Sequence, residues 1–330
     1  AEFASPAEEA QGIALTLREA LEVEGRTAAL VTPDRALARR VAAHCARWGI
    51  SVDDSAGRPL SILPPGTLLL ALAEAGAQRF APLALLALFK HPLVRSGEAR
   101  LPWLDQVRRL DAALRGPRPA PGLAGIGAHL VAGEVADWWG EASALLAPLE
   151  AAFAVQQCSP AALIAVLRET AATLCGDELW AGPAGRAASE FLTTLEAEAD
   201  RGPPLIAPDG LAPLLQILLT EIAVRPQQKG HPRLAIYGLI EARLQSADMM
   251  VLGGLNEGVW PGRAAPDPWL APRVRAELGL PGLERAVGVA AHDFAQALGA
   301  PDVVITRARR DASSPTLASR LWLRLQAMAG

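Results

Sequence analysis

At 330 residues, 51% hydrophobic and 20% charged, the chain has the composition of a compact globular protein, with room for about two domains of ~150 residues. Disordered and fibrous classes are excluded on the same ground. A net charge of −4 gives no global attraction to nucleic acid, so any such contact has to come from a local patch.

Nearly all the positive charge is arginine. The only lysines are Lys90 and Lys229, a skew typical of high-GC codon usage that also limits lysine-dependent chemistry. Cys45, Cys158 and Cys175 are odd in number and widely spaced, without a CxxC pair or a zinc pattern. A reducing cytoplasm is the expected setting. The opening Ala1-Glu2-Phe3 has no features of a signal peptide and reads as the start of an excised fragment. The most apolar stretches, residues 68–72 and 83–89, are short and flanked by Glu74, Gln78, Arg79 and Pro82. They predict core helices, not membrane spans.

Ser5-Pro6-Ala7-Glu8 is a capping box: serine as N-cap, proline at the first helical position and glutamate three residues on. Ala10, Ile13, Ala14, Leu17, Ala20 and Leu21 continue it as a helical stripe up to Gly25. Residues 27–31 predict a buried strand. A second helix is expected to open at Thr32-Pro33, with Leu37, Val41, Cys45 and Trp48 on its apolar face and Gly49 at its end. Residues 50–53 predict the next strand, and strand, helix, strand at this spacing implies a parallel sheet.

From about residue 67 to residue 223 the pattern becomes helical and rich in leucine and alanine. Pro/Gly punctuation falls at residues 115–122 and 201–204. The glycine string Gly122, Gly125, Gly127 has no preceding strand and reads as a loop. Alternation resumes at residue 231, with strands expected at 234–237, 249–252 and 303–305 and helices at 270–278 and 283–298. The predicted fold is α/β: a parallel-sheet domain formed by residues 1–66 and 231–330, with an all-helical domain over residues 67–230.

No complete catalytic set is legible. A nucleotide-binding P-loop needs a glycine-rich turn ending in lysine, and neither Phe89-Lys90-His91 nor Gln228-Lys229-Gly230 fits. A metal-dependent nuclease core wants an acid two residues before a lysine, where Leu88 and Gln227 stand. Asp53-Asp54 ends a strand, but adjacent strand residues point to opposite faces, so turn-forming acids are the better reading. His44 and His292 are expected to be ordinary surface or core residues.

Two C-terminal segments are more specific. Residues 249–261 run a buried strand into a glycine turn carrying Gly254, Asn256, Glu257, Gly258 and Trp260. Residues 303–309 run another into Thr306-Arg307, where a guanidinium suits a phosphate or carboxylate. A local ion pair with Asp302, Asp311 or another acid is the competing reading.

Residues 252–261 resemble the region around motif V of UvrD-type superfamily-one helicases, and residues 304–309 resemble their motif VI. Residues 28–39 are similar to the segment around motif IV. The match sharpens to the AddB subunit of AddAB-type helicase–nucleases, of the alphaproteobacterial kind, in residues 30–41, 48–57, 90–93 and 240–244.

The resemblance implies a degenerate, RecA-like second motor domain with an inserted helical domain, in a subunit that threads DNA and recognises a regulatory sequence without driving translocation. It places Arg307 and Thr306 at a former nucleotide contact, and residues 254–260 at a degenerate motif V turn. Residues 238–246 lack most of the polar groups of a working motif V. The motif IV arginine position falls near Thr32, with Arg35 and Arg39 close by.

No cofactor is expected in this stretch: ATP with magnesium, and an iron–sulfur cluster, belong to other parts of such complexes. The implied partners are an AddA-type motor and nuclease subunit and single-stranded and duplex DNA. Arg39, Arg40, Arg309 and Arg310 are the leading candidates for phosphate contact, Arg108-Arg109 a further one, and Trp260 or Tyr237 for stacking. Two other readings stay open: a scaffold that docks the motor subunit without touching DNA, and an independent α/β enzyme using residues 253–258 as a phosphate-binding turn.

Overall fold

The capping box forms at the start of the helix Pro6–Leu21, where Ser5 Oγ accepts from Glu8 N at 3.3 Å and Ala4 N donates to Glu8 Oε2 at 3.3 Å. It opens a computed structural model that describes residues 1–131, 133–225, 230–263, 267–282 and 284–329. Gln227, Gln228 and Lys229, and Leu283 in one of the expected helices, lie outside the described residues. The chain divides into two compact units, one of residues 1–56 with 225–330 and one of residues 57–224.

The first unit is α/β. Its five strands lie in the spatial order Asp53–Asp54, Leu234–Tyr237, Ala28–Val31, Met249–Leu252 and Asp302–Ile305, all parallel. The three central strands are almost wholly apolar, as a sheet covered on both faces requires. Leu30, Ile236 and Val251 face the helices Pro6–Leu21 and Arg35–Ala46, meeting Ile13, Leu17, Leu37 and Val41. Val31, Met250 and Leu252 face the other way, toward Trp260, Phe294 and Trp322 near the helices Glu284–Ala297 and Arg320–Ala329. The alternation within each strand therefore divides the core into two layers.

Three local expectations change. The second helix is capped by Asp34, not opened by Thr32, because the Asp34 carboxylate takes the N–H groups of Ala36 and Leu37 at 2.8 and 3.0 Å. The strand expected at residues 50–53 pairs only at Asp53–Asp54, and the Leu234–Tyr237 strand lies between it and Ala28–Val31. Trp48 lies beyond the second helix rather than on its buried face, with the Arg18 guanidinium 5.1 Å from its ring.

The second unit is mainly helical. Its core gathers Leu68, Leu72, Phe89, Val107, Leu167 and Leu215 from five helices between Pro64 and Glu221. Arg58–Pro59 pairs antiparallel with Ala223–Val224, and Leu60 N donates to Ile222 O at 2.8 Å. The division falls at residues 57 and 224, whereas the sequence predicts the helical domain over residues 67–230.

The glycine string is not a loop but the helix Leu123–His129. Gly122 takes a positive φ of 90° before it, and the Glu150 carboxylate accepts from Leu123 N at 2.7 Å. A Cβ on Gly125 would lie 2.1 Å from Ala120 O, so close backbone approach selects glycine there, not turn formation.

His91 is buried in this unit. Its Nδ1 accepts from Leu93 N at 3.3 Å, which leaves Nε2–H to donate to Thr67 Oγ1 at 2.9 Å. Burial, helped by the Arg100 charge, lowers its pKa to about 4. Its folded pKa lies below the unfolded value of ~6.5, so its contribution is complete above that pH and is lost as pH falls toward 4. Thermal melts from pH 7 to pH 4 should show a steeper loss of stability in the wild type than in His91→Gln. Equal slopes would refute the assignment.

Candidate functional site

All five strands of the first unit run the same way, so their carboxyl ends share one edge, where parallel α/β sheets usually hold ligands. Two loops at this edge are tied to a single buried carboxylate. Glu9 stands in phase with Ile13 and Leu17 on the buried face of its helix, and its Oε1 accepts from Gly254 N at 2.9 Å and from Thr306 Oγ1 at 2.7 Å. Burial raises its pKa, against the opposing effect of these hydrogen bonds.

The glycine turn after Met249–Leu252 is satisfied internally. Gly253 N donates to Val31 O, Gly254 N to Glu9, Leu255 N to Thr306 O, Asn256 N to Gly254 O and Glu257 N to Leu317 O. Val259 N and Trp260 N both donate to Asn256 O. A phosphate cradle needs such amides free, and here Glu9 already holds the place of the anion.

Gly254 and Gly258 adopt φ of +80° and +83°. At Gly258 the missing side chain leaves room for Arg263, whose Nε would lie 3.0 Å from a Cβ. Glu257 pairs with Arg320, whose Nε donates to it at 3.0 Å. Its pKa is lowered chiefly by that bond.

Arg307 is buried. Its Nε donates to Asn256 Oδ1 at 3.2 Å, Nη1 to Glu2 Oε1 at 2.6 Å and Nη2 to Thr316 O at 3.1 Å. The acid it meets is Glu2, not Asp302 or Asp311. The segment itself, Arg307–Ala308, pairs with Glu2–Phe3. Trp260 is fully buried and donates to Ala290 O at 3.3 Å, so it offers no face for stacking. Tyr237 is half-buried.

Arg39, Arg40, Arg309 and Arg310 are exposed, and no acid lies within ion-pair distance of them among the described residues. Arg108 pairs with Asp105, and Arg109 with Glu134.

Five other arginines do come together. A cleft of about 800 Å³ is lined by Arg35, Arg243, Arg263, Arg275 and Arg285, with the ends of two strands at Pro33 and Gly238. Among the described residues Glu241 and Asp293 oppose them on its walls, and Asp54 and Asp267 pair with Arg35 and Arg275. Arg243 grips Asp293 in a fork at 2.7 and 3.0 Å, and Arg35 pairs with Asp54. Arg275 Nη2 donates to Pro281 O at 3.2 Å.

Donors remain. Arg35 Nη1 and Arg275 Nε are buried without an acceptor, and neither Arg263 nor Arg285 has an acid at ion-pair distance among the described residues. Arg35, Arg243 and Arg275 are paired with Asp54, Asp293 and Asp267, so the charge that the cleft offers without an acid is that of Arg263 and Arg285, which suits phosphate or carboxylate oxygens. The signal for it lay in residues 262–285, where Arg263, Arg273, Arg275 and Arg285 follow the fourth strand in spatial order.

No cluster of three or more His, Cys, Asp or Glu arranged to hold a metal occurs among the described residues. No helix among them is long and apolar enough to cross a membrane. No protein-family model matches the chain, and no curated protein matches it.

Removing the Glu9 carboxylate should strand two buried donors at about 1–3 kcal/mol each. Glu9→Ala is therefore expected to lower stability by roughly 2–6 kcal/mol, and Glu9→Gln, which keeps an acceptor, by much less. Because burial raises the Glu9 pKa, its protonated form favours the folded state. That contribution is complete below the ordinary glutamate value of ~4.3 and fades as pH rises through the folded value. Urea unfolding across that range should show a shallower decline in Glu9→Gln than in the wild type. Equal losses in the Ala and Gln variants would show that the carboxylate does not tie these loops.

Proposed function

We propose that this chain is a DNA-holding part of a helicase-like, non-translocating subunit of an AddAB-type helicase–nuclease, acting in double-strand-break repair in the cytoplasm. In this reading the α/β unit is a degenerate RecA-like second motor domain, and residues 57–224 are its inserted helical domain. The partners are an AddA-type motor subunit and DNA, and the ATP, magnesium and iron–sulfur chemistry resides elsewhere in the assembly.

The observation that carries the reading is the cleft at the carboxyl edge of the sheet, lined by five arginines of which Arg263 and Arg285 have no acid at ion-pair distance among the described residues. A strand of nucleic acid offers a row of phosphates to such a surface, and backbone contacts of this kind dominate affinity without reading sequence. Arg307 is assigned a structural role here, since Glu2, Asn256 and Thr316 engage its three nitrogens. The glycine turn is likewise a packing element, which sets aside the independent phosphate-binding enzyme.

Anisotropy of labelled single-stranded and duplex oligonucleotides, read at several salt concentrations, tests the reading. The wild type should bind single strands with a steep salt dependence. The Arg263→Ala/Arg285→Ala variant should bind more weakly, with a slope of log K against log salt shallower by roughly 0.7 for each phosphate that no longer meets a guanidinium. Its melting temperature should stay close to that of the wild type, because neither residue holds an ion pair among the described residues. An unchanged slope in the variant would remove the cleft from the DNA path. No binding by the wild type at low salt would overturn the reading in favour of a scaffold that docks the motor subunit.

A further inference from the structure

The helical unit contains an aromatic box with unfilled space beside it. Trp103 and Trp138 meet edge to face, with ring centroids 5.0 Å apart, and Phe89 lies 5.0 Å from Trp103. The indole N–H of Trp103 donates to Phe89 O at 3.0 Å, which fixes that ring. Trp138 is only half-buried. Beside the two indoles lies a cavity of about 610 Å³, also lined by Arg95, Gln106 and Glu141. That size is within the range of small-molecule sites, about 300–1,000 Å³.

Two polar groups there lack partners. Gln106 Nε2 donates to Glu134 Oε1 at 3.3 Å. A carboxylate only accepts, so this contact sets the amide orientation. It leaves Gln106 Oε1 buried with no donor. A terminal amide torsion is soft, so a small turn presents that oxygen to a ligand in the cavity.

Arg95 is the second group. Its Cζ lies 5.8 Å from the Trp103 ring centroid, and no acid is within ion-pair distance among the described residues. It holds a left-handed φ of 50°, uncommon for a non-glycine residue, while its N–H donates to Leu174 O at 3.0 Å. The backbone is thus fixed in a conformation that keeps this guanidinium beside the indoles.

We propose that this cavity binds a nucleotide unit: a nucleobase bearing an amino group, stacked on Trp138, with its phosphate at Arg95. A flat ring gains from an indole face, an amino group supplies the donor missing at Gln106, and a phosphate supplies the anion missing at Arg95. A quaternary ammonium would suit the rings and the Glu141 carboxylate, but it has no N–H to give Gln106 Oε1. A purely apolar ligand leaves Gln106 Oε1 unsatisfied. The site lies within the helical unit and does not depend on the arginine cleft of the α/β unit.

The test uses the full chain with its eight tryptophans replaced by 5-fluorotryptophan and followed by fluorine NMR. The Trp103 and Trp138 resonances are assigned from Trp→Phe variants. Adenosine 5′-monophosphate should shift these two resonances selectively. Purine riboside 5′-monophosphate, which lacks the amino group, should bind about tenfold more weakly, the effect of one hydrogen bond to a buried acceptor.

In Gln106→Met, of similar length but without the amide, the two ligands should bind alike. In Arg95→Gln both should weaken, while Arg263→Ala/Arg285→Ala leaves the response unchanged, so this site and the cleft fail separately. Tighter binding of an adenine trinucleotide than of the mononucleotide identifies a single strand as the source of the base. Equal binding identifies a free nucleotide. Absence of selective shifts, identical affinities for the two purines in the wild type, or saturation by tetramethylammonium alone would each overturn the proposal.

Discussion

The carboxyl edge of the parallel sheet depends on one buried acid. Glu9 projects from the first helix into the space where strand ends of an α/β fold ordinarily turn their amides toward a ligand. By accepting from Gly254 N–H and Thr306 O–H, it joins the N-terminal helix to two loops far away in sequence. Arg307 repeats the connection in the opposite sense, a cation from the C-terminal part reaching Glu2. The two ties together make the first residues of the chain part of the architecture of its last strands. They also fill the part of the edge beside the Met249–Leu252 and Asp302–Ile305 strands. The open space lies instead beside Pro33 and Gly238, at the ends of the neighbouring strands.

That cleft has an uneven charge pattern. Withdrawing a guanidinium from water is costly unless an acid or carbonyl replaces the lost solvent. Arg243 and Arg35 have such partners, and they serve as fixed walls. Arg263 and Arg285 do not, so their charge stays available. The cleft thus combines arginines held by acids with two that have none among the described residues.

Much of the frame was legible because it rests on local signals. The capping box at Ser5, the apolar runs at residues 28–31, 234–237 and 249–252, and the helical texture of the middle follow from periodicity and capping. What was not legible depends on tertiary partners. Glu9 looks like one more polar residue of an acidic first turn, and its spacing with Ile13 and Leu17 is the only trace of its burial. Trp260 reads as an available aromatic until the sheet and the Glu284–Ala297 helix enclose it. Arg39 and Arg40 stand out as a run, whereas the cleft arginines are scattered singly from residue 35 to residue 285 and converge only through the fold. The glycines near residue 125 carry the same ambiguity, since a residue chosen for close packing resembles one chosen for a turn.

The short pairing of Arg58–Pro59 with Ala223–Val224 also bears on how the sheet assembles. The Asp53–Asp54 and Leu234–Tyr237 strands are neighbours, yet well over a hundred residues separate them. Closing a flexible loop of that length costs more than closing a loop of a few residues by about 3 kcal/mol. Once the helical unit has folded and brought its own ends together, the sheet meets only a short connection. Contacts that are remote along the chain thereby become effectively local.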